Sequence, residues 1–262
     1  MPLLPGVRDM TFSEKVAELI QPARVLHVDI ETSPHLCWSF QLWDANISPN
    51  MVVEPSRMLC WAAKWHDEKR VIFHAEWDDS HAKMVEHLWI LLNEATHVVT
   101  YNGIGFDEKH INREFILEGY GPPSPYASVD LLRTMRKRFK FPSNRLGEIG
   151  KDLGIGTKLE TEGWKLWQAV LDGDVKARAK FRRYNIQDVR LTQNLYETVQ
   201  PWIKGLPHAG MFTGSMASCY ACGSTDLQVE GLTYTKTVPY VRAWCECGAW
   251  MRVMRNGDTR EA

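Results

Sequence analysis

An apolar segment near the start of the chain carries two acidic residues at alternate positions. Residues 24–31 read RVLHVDIE, and their apolar side chains favour a β-strand. Because successive side chains of a strand point to opposite faces, Asp29 and Glu31 point to the same face. Two carboxylates on one face of a buried strand repel each other and are costly unless a cation or hydrogen-bond donors neutralise them. The segment therefore indicates either a metal site or a strand end at which this acidic pair meets solvent.

A third acid follows another strand-like segment. The β-branched and aromatic residues of HVVTY (97–101) favour a strand, and the sequence Asn102-Gly-Ile-Gly then favours a turn. Asp107 begins a helical pattern, and a carboxylate in a first helical turn is stabilised by the helix dipole in any protein. Taken alone, Asp107 is thus either an ordinary N-terminal helix acid or a site residue. Asp130, which follows a further short strand, is interpreted as a structural or supporting residue.

The fourth acid lies in a long predicted helix, from about Val175 to about Val199. Apolar residues recur in this segment at steps of three or four, which is the helical period. Asp188 falls within the stripe that should face the core, where a lone carboxylate is unfavourable. Tyr184 is one turn earlier and shares that face. An ion pair between Asp188 and a nearby arginine is the alternative to a site role.

The cysteines indicate a second, smaller module. Four of the six lie in two close pairs, Cys219/Cys222 and Cys245/Cys247. Two close cysteine pairs can supply the four thiolates of a structural Zn²⁺ site, and the ion would supply much of the folding energy of so small a module. The second pair has the spacing CxC instead of CxxC, which strains the usual turn. Redox-active or disulfide pairs are the alternative, and the lack of a secretion signal disfavours them.

A basic segment is the main feature of the charge distribution, since the formal net charge of the 262 residues is only −1. Residues 133–145 interleave two phenylalanines with cations. Basic groups reach phosphates and aromatic rings stack on bases, so a surface that faces nucleic acid is predicted here. A solvated helix end is the alternative. The cations assigned to this surface are Arg136, Lys137, Arg138 and Lys140.

The three acidic segments together resemble a known enzyme group. DIET, NGIGFD and YNIQD are similar to the DxE, NxxxFD and YxxxD motifs of DEDD-type 3′–5′ exonucleases, which include polymerase proofreading domains. The tyrosine four residues before the last aspartate indicates the DEDDy subgroup. The resemblance covers about residues 23–203 and implies a ribonuclease H-like α/β fold, with a mixed central sheet flanked by helices. The segments VEPSRMLCWAAKW and RVIFHAEW are similar to free-standing phage-type members, and residues 219–262 resemble a zinc ribbon.

The resemblance also implies a role for each motif residue. Two Mg²⁺ or Mn²⁺ ions would activate water and stabilise the leaving 3′ oxygen. Tyr184 would orient the attacking water, and the products would be nucleoside 5′-monophosphates. The implied metal ligands are Asp29, Glu31, Asp107 and Asp188. Thr32, Asn102 and Phe106 would contact the terminal nucleotide.

These observations predict four regions: an N-terminal extension with a short helix (1–22), an exonuclease domain (23–203), a linker (204–218) and a zinc ribbon (219–262). We expect hydrolysis of single-stranded DNA from its 3′ end in replication, repair or recombination, in a phage or a bacterium. An RNA exonuclease, or a non-catalytic protein that binds nucleic acid through the ribbon, is the alternative. A replicative polymerase acting in trans is the expected protein partner. The chain has no long apolar run and no signal peptide, so we expect a cytoplasmic protein that binds no membrane.

Overall fold

The computed structural model describes residues 21–262. The predicted N-terminal helix lies outside these residues. The described chain forms two compact units, one of residues 24–199 and the other built from residues 200–262 with residues 21–23.

The unit of residues 24–199 alternates strands with helices, in keeping with the predicted α/β class. Its strands are β1 (Val25–Thr32), β2 (Leu36–Cys37), β3 (Val52–Glu54), β4 (Met58–Trp65), β5 (Ile72–Ala75), β6 (His97–Thr100) and β7 (Ala127–Asp130). Its α-helices are α1 (His81–Glu94), α2 (Asp107–Leu117), α3 (Leu131–Arg138), α4 (Leu146–Asp152), α5 (Trp164–Leu171) and α6 (Val175–Val199).

The central sheet is mixed. Its five strands have the order β5-β4-β1-β6-β7. β1 pairs antiparallel with β4 and parallel with β6, β5 is antiparallel to β4, and β7 is parallel to β6. Every residue of β4 is buried, so both faces of the sheet are covered along this strand. The mixed α/β fold class with flanking helices is thereby confirmed. β4 and β5 follow each other in the chain and form an antiparallel hairpin.

The alternation of side chains along β1 separates the apolar core from the acidic face. Leu26, Val28 and Ile30 are buried in the main core, together with residues of α1 and α2. Asp29 and Glu31 lie on the opposite face of the strand. Helix α6 packs against this second face, where the amide of Asn185 contacts Asp29. The fold therefore places the two acids between the sheet and a helix.

Helix α6 has the extent and the buried stripe that the sequence predicts. Its buried positions include Phe181, Asp188, Leu191 and Leu195, which recur at the helical period. Asp188 is 1% exposed, so a carboxylate does occupy the core-facing stripe. Neither α6 nor any other helix within residues 21–262 is both long enough and apolar enough to cross a membrane.

The second unit is built on an antiparallel sheet. The helical turn α7 (Gly210–Thr213) precedes four strands in the order β11-β10-β9-β8. The buried residues of its small core are mostly cysteine, alanine and methionine. The strands are β8 (Gln228–Tyr234), β9 (Pro239–Trp244), β10 (Trp250–Val253) and β11 (Thr259–Glu261).

Much of the segment predicted as a linker (204–218) is hydrogen-bonded to the rest of this second unit. The amide of Ala209 donates to the carbonyl of Tyr220 over 2.9 Å, and the amide of Thr259 donates to the carbonyl of Met216 over 2.9 Å. The hydroxyl of Thr259 also donates to the carbonyl of Ser218. From residue 209 onward, the segment is therefore ordered against β11 and the first cysteine pair. These contacts could not be predicted from the composition of the segment, which is rich in Gly, Ser and Met.

A network of charged side chains ties β4 to helices α1 and α2. The Glu114 carboxylate is buried and accepts hydrogen bonds from the Met58 amide (3.0 Å), Arg113 (2.6 Å) and His81 Nε2 (3.2 Å). Burial opposes its ionisation, but the bonds from His81 and Arg113 lower the pKa of Glu114 to about 2. In return, Glu114 and then the nearby Glu76 raise the pKa of His81 to about 9. The folded protein therefore favours the imidazolium at neutral pH.

Replacing His81 by glutamine should remove a pH-dependent contribution to stability. An unfolded histidine loses its proton near about pH 6.5, whereas the folded His81 keeps it up to about pH 9. The charge therefore stabilises the fold fully below the unfolded pKa, and this stabilisation is lost as pH rises through the folded pKa. Urea unfolding at about pH 6 and about pH 9.5 should show the stability gap between parent and His81→Gln shrinking by about 1–3 kcal/mol. A gap that stays constant or widens would contradict the assigned network.

Candidate active site

Three carboxylates from two elements of the fold meet at one point. The carboxylate oxygens of Asp29 and Glu31 on β1 and of Asp188 on α6 lie within 4.8 Å of one another. Strand alternation directs the first two toward α6, and the helical period directs the third toward β1. The fold thus brings together three of the four acids assigned to metal binding.

Asp107 stands beside this group at the start of α2. Its Oδ1 accepts a hydrogen bond from the Ile30 amide over 3.2 Å, and its side chain is buried. Since Ile30 lies between Asp29 and Glu31 in the strand, this bond holds Asp107 against the same segment of β1. Its charge also contributes to the raised pKa of Asp29. Asp107 is therefore a neighbour of the cluster, outside the 4.8 Å group formed by the other three.

The turn between β6 and α2 explains how Asp107 is placed. Asn102 has a φ of 73°, a left-handed conformation that asparagine tolerates better than most residues. Its amide donates to Asp130 Oδ1 over 3.1 Å, which gives Asp130 the supporting role that the sequence indicated. A Cβ on Gly103 would lie 2.1 Å from Thr100 Oγ1, so the turn has room only for glycine there.

The four carboxyl groups are electrostatically unfavourable as anions. Loss of hydration is the first cause of each raised pKa, and the neighbouring acids raise those of Asp29 and Glu31 further. The pKa of Glu31 rises to about 8 and that of Asp107 to about 7, whereas that of Asp29 lies well above its usual value. A cation among these groups would relieve both their mutual repulsion and the lost hydration.

Two further residues, which sequence analysis missed, donate to the cluster. Lys158 Nζ lies 2.5 Å from Asp188 Oδ2 and 3.2 Å from the Tyr184 hydroxyl. Asn185 Nδ2 lies 2.7 Å from Asp29 Oδ2 and also donates to the Asp29 carbonyl over 3.2 Å. Lys158 sits in a loop without periodic pattern, so no sequence signal points to it. Asn185 could have been found, because it lies three residues before Asp188 on the same helix face.

Tyr184 is placed by its neighbours and is not ionised at neutral pH. Its hydroxyl accepts from Lys158, and its ring makes an edge contact with Trp167 at 6.2 Å between centroids. Loss of hydration, followed by the charge of Asp188, raises the pKa of Tyr184 to about 12. The phenol can therefore donate or accept a hydrogen bond but is a poor base near pH 7.

The donor set fits a hard divalent cation. Oδ1 of Asp188 is buried and has no hydrogen-bond partner among residues 21–262. Leaving a buried acceptor unsatisfied is costly, and a bound cation would satisfy it. Carboxylate oxygens are the ligands that Mg²⁺ and Mn²⁺ prefer. Asp29, Glu31 and Asp188 are the residues that would hold such an ion, with Asp107 beside them.

A groove of about 800 Å³ begins where β1 ends. Thr32 lines one wall, and Trp164 and Trp167 of α5 line another. The indole N–H of Trp167 donates to the Thr32 carbonyl over 3.1 Å, which fixes the two walls to each other. Phe106 lies at the start of α2, is 39% exposed, and packs on the His110 ring at 4.6 Å between centroids. The groove therefore has an aromatic wall, and the ring of Phe106 is a separate, partly exposed aromatic surface.

The basic segment lies on the surface at the end of α3. Its cations are exposed to solvent, and Phe139 packs on Phe141 with 6.1 Å between ring centroids. No contact joins these cations to the carboxylate cluster within residues 21–262, so their role in substrate binding stays a prediction. The residues concerned are Arg136, Lys137, Arg138 and Lys140.

The four paired cysteines converge in the second unit. Their sulfur atoms all lie within 4.8 Å of one another, with 3.6 Å between Cys219 and Cys247 and 3.6 Å between Cys222 and Cys245. Four sulfurs at about 2.3 Å from one tetrahedral Zn²⁺ would be about 3.8 Å apart. The CxC pair is followed by Gly248, whose φ of 91° allows the tight turn. The shorter spacing thus still brings both sulfurs to the cluster.

Comparison with known proteins places the chain in a superfamily. Residues 57–200 match the family model described as RNase_H superfamily, and the chain belongs to this superfamily. Membership supports nuclease activity. The matched residues include Asp107, Tyr184 and Asp188, whereas Asp29 and Glu31 precede them.

The fold is also similar to that of a replication enzyme. The family B DNA polymerase from the hyperthermophilic archaeon Pyrobaculum calidifontis aligns with a TM-score of 0.53 and 20% sequence identity. The alignment covers 84% of this chain and 32% of the polymerase chain, so this chain spans about a third of the polymerase's length. At this identity, the likeness establishes the fold. No curated protein sequence matches the chain.

Replacing Asp29 by asparagine should stabilise the metal-free protein and remove its response to Mn²⁺. The substitution deletes one of the repelling charges, while the asparagine oxygen can still accept from Asn185. Thermal unfolding should show a higher midpoint for Asp29→Asn without metal. Mn²⁺ at about 100 times its dissociation constant should add about 2.7 kcal/mol to the parent.

The matched control is Asp67→Asn, which removes an exposed carboxylate in the β4–β5 turn. This variant should keep the parent's Mn²⁺ response. An equal Mn²⁺ response in Asp29→Asn would show that the cation binds elsewhere.

Proposed function

We propose that the protein is a metal-dependent 3′–5′ exonuclease that hydrolyses phosphodiester bonds of single-stranded DNA. The observation that carries this proposal is the convergence of Asp29, Glu31 and Asp188, with Asp107 beside them. Membership in the RNase_H superfamily and the order of the three motifs support the same conclusion. Such a cluster destabilises a folded chain, so a protein that served only by binding would have no need of it.

Two Mg²⁺ or Mn²⁺ ions, when bound, would supply activation of the attacking water and stabilisation of the leaving 3′ oxygen. The chain's own part is to keep the carboxylate oxygens at fixed positions. Asn185 holds Asp29, and the Ile30 amide holds Asp107. Lys158 holds Asp188 through a 2.5 Å contact. Such prior positioning avoids reorganisation during the reaction.

Tyr184 orients the water, in this proposal, and does not abstract its proton. A pKa of about 12 keeps the phenol protonated at neutral pH. Lys158 donates to its oxygen, so the phenol proton is left to bond another acceptor. Lys158 thereby positions both Tyr184, which would orient the water, and Asp188, which would hold the metal.

The resemblance of the three motifs implies the 3′ end as the site of attack, and the groove beside β1 would receive the terminal nucleotide. Thr32 directly follows Glu31, and the aromatic walls of the groove would receive the terminal base. Asn102 and Phe106 would complete the nucleotide pocket, and the basic residues 136–140 would contact the strand. The released products would be nucleoside 5′-monophosphates.

The domain assignment follows from these roles. We assign residues 23–203 to the exonuclease domain, residues 219–262 to a zinc ribbon, and residues 204–218 to the connection between them. One Zn²⁺ held by Cys219, Cys222, Cys245 and Cys247 would stabilise the ribbon. We further propose a cytoplasmic role in DNA replication, repair or recombination of a phage or a bacterium, with a replicative polymerase as partner.

Hydrolysis of end-labelled oligonucleotides tests the proposal. Single-stranded DNA and RNA of one sequence, labelled at the 5′ end, would be incubated with Mg²⁺, Mn²⁺ or EDTA. We expect a ladder of products shortened from the 3′ end that requires metal, with DNA cut faster than RNA. Asp188→Asn should abolish the ladder, and Tyr184→Phe should slow it by about 10²-fold.

Asp67→Asn again serves as control and should cut at the parent's rate. Release of the labelled 5′-terminal nucleotide without a ladder, or internal cuts alone, would refute the proposed direction. Folded protein with metal that yields no product on either strand would refute the enzymatic proposal.

A further inference from the structure

The sheet of the second unit has a face that does not pack on the cysteine cluster. Ala243 on β9 and Met251 on β10 are fully buried and pack with the cysteines. Because side chains alternate along a strand, the residues on either side of them point to the opposite face. This second face, termed the ribbon face, carries Tyr240, Arg242, Trp244, Trp250, Arg252 and Arg260.

Three arginines form a row across the ribbon face. Arg242 pairs with Arg252 between β9 and β10, and Arg252 pairs with Arg260 between β10 and β11. None of the ion pairs within residues 21–262 involves any of these three arginines. Like charges placed directly opposite each other destabilise a sheet. A row of anions laid across the strands would offset this repulsion.

Aromatic rings lie next to the arginine row. Trp244 pairs with Trp250 across β9 and β10. On the ribbon face, this is the next cross-strand pair after Arg242 and Arg252. The Arg242 guanidinium lies 4.8 Å from the centre of the Trp250 ring, which is 40% exposed. The Arg252 guanidinium lies 5.6 Å from the Tyr240 ring. The ribbon face therefore alternates cationic groups with flat apolar surfaces.

The two central guanidinium groups are held in place by the main chain. Arg242 Nε donates to the Glu230 carbonyl over 2.8 Å, and Arg252 Nε donates to the Glu261 carbonyl over 2.9 Å. These bonds use Nε, and the terminal nitrogens of a guanidinium are suited to bind two oxygens of one phosphate. Fixed guanidinium groups lose less conformational entropy on binding than mobile lysines would.

We propose that the ribbon face binds single-stranded nucleic acid. The arginine row contacts consecutive phosphates, and Trp250, Trp244 and Tyr240 offer rings on which unpaired bases stack. The bases of a duplex are stacked on each other and cannot reach these rings, so single strands are preferred. This binding goes beyond the proposed hydrolysis, because it needs neither the carboxylates nor the Mg²⁺ or Mn²⁺ that they would hold.

Fluorescence anisotropy of labelled oligonucleotides tests the ribbon face without relying on hydrolysis. Full-length, zinc-loaded Asp188→Asn protein would be titrated into oligo(dT), oligo(rU) and a blunt duplex at several salt concentrations. Adding Arg242→Ala, Arg252→Ala and Arg260→Ala together should weaken single-strand binding by about tenfold or more. The slope of the logarithm of the binding constant against the logarithm of the salt concentration should become shallower by about 2, since three phosphate contacts are lost. We expect the same loss of affinity for DNA and for RNA, because the phosphates and the base planes do not depend on which sugar is present.

A second variant separates stacking from charge. Trp250→Leu keeps an apolar residue and should weaken binding by about fivefold with an unchanged salt dependence. The charge-matched control replaces Lys69, Arg70 and Lys83, which are exposed in the other unit, by alanine. It should retain the parent's affinity for single strands. Zinc content and circular dichroism would verify that each variant is folded.

Two outcomes would overturn the proposal. If the folded triple-arginine variant binds single strands with the parent's affinity and salt dependence, the ribbon face does not bind nucleic acid, and an acidic protein surface becomes the better partner. If the duplex binds as tightly as the single strand, stacking is not the mode of recognition. Should the triple variant lose zinc, the exposed Arg260→Glu alone replaces it and must weaken single-strand binding in the same assay.

Discussion

Repulsion among carboxylates at the centre of the sheet is the constraint on which the rest of the structure depends. Strand alternation sets Asp29 and Glu31 on one face of β1, and α6 adds Asp188 to them. The opposite face of β1 and every residue of β4 are apolar or buried, so the surrounding core holds the acids together despite their charge. Apolar burial and dispersion contribute on the order of 100 kcal/mol to the folding of a domain, which is why such a local cost is tolerated.

The chain neutralises this repulsion only in part. Lys158, Asn185 and the Ile30 amide each satisfy one carboxylate, yet Asp188 Oδ1 has no partner within the described residues and the pKa of Glu31 still rises to about 8. Apolar residues of similar volume would give a more stable protein. A site that stays unfavourable until a cation binds is typical of function selected at the expense of stability.

The sequence predicted those features that follow from periodicity. Alternation along β1 predicted that Asp29 and Glu31 share one face, and the helical period of residues 175–199 predicted that Asp188 lies in the buried stripe. That these segments meet was implied by the resemblance of the three motifs to a known enzyme group. Lys158 could not be predicted, because it reaches the site from an irregular loop whose path depends on tertiary packing. The order of the segment before the cysteines was likewise missed, since its contacts are main-chain hydrogen bonds that no residue type encodes.

Anomalous diffraction from crystals grown with Mn²⁺, measured at the manganese and zinc edges, would locate both kinds of ion. We expect manganese peaks bounded by Asp29, Glu31, Asp107 and Asp188, and a zinc peak among the four paired cysteines. Asp188→Asn crystals should lose manganese and keep zinc. Manganese peaks only at other positions, or none at all in well-ordered parent crystals, would contradict the assignment of the carboxylate cluster as a cation-dependent active site.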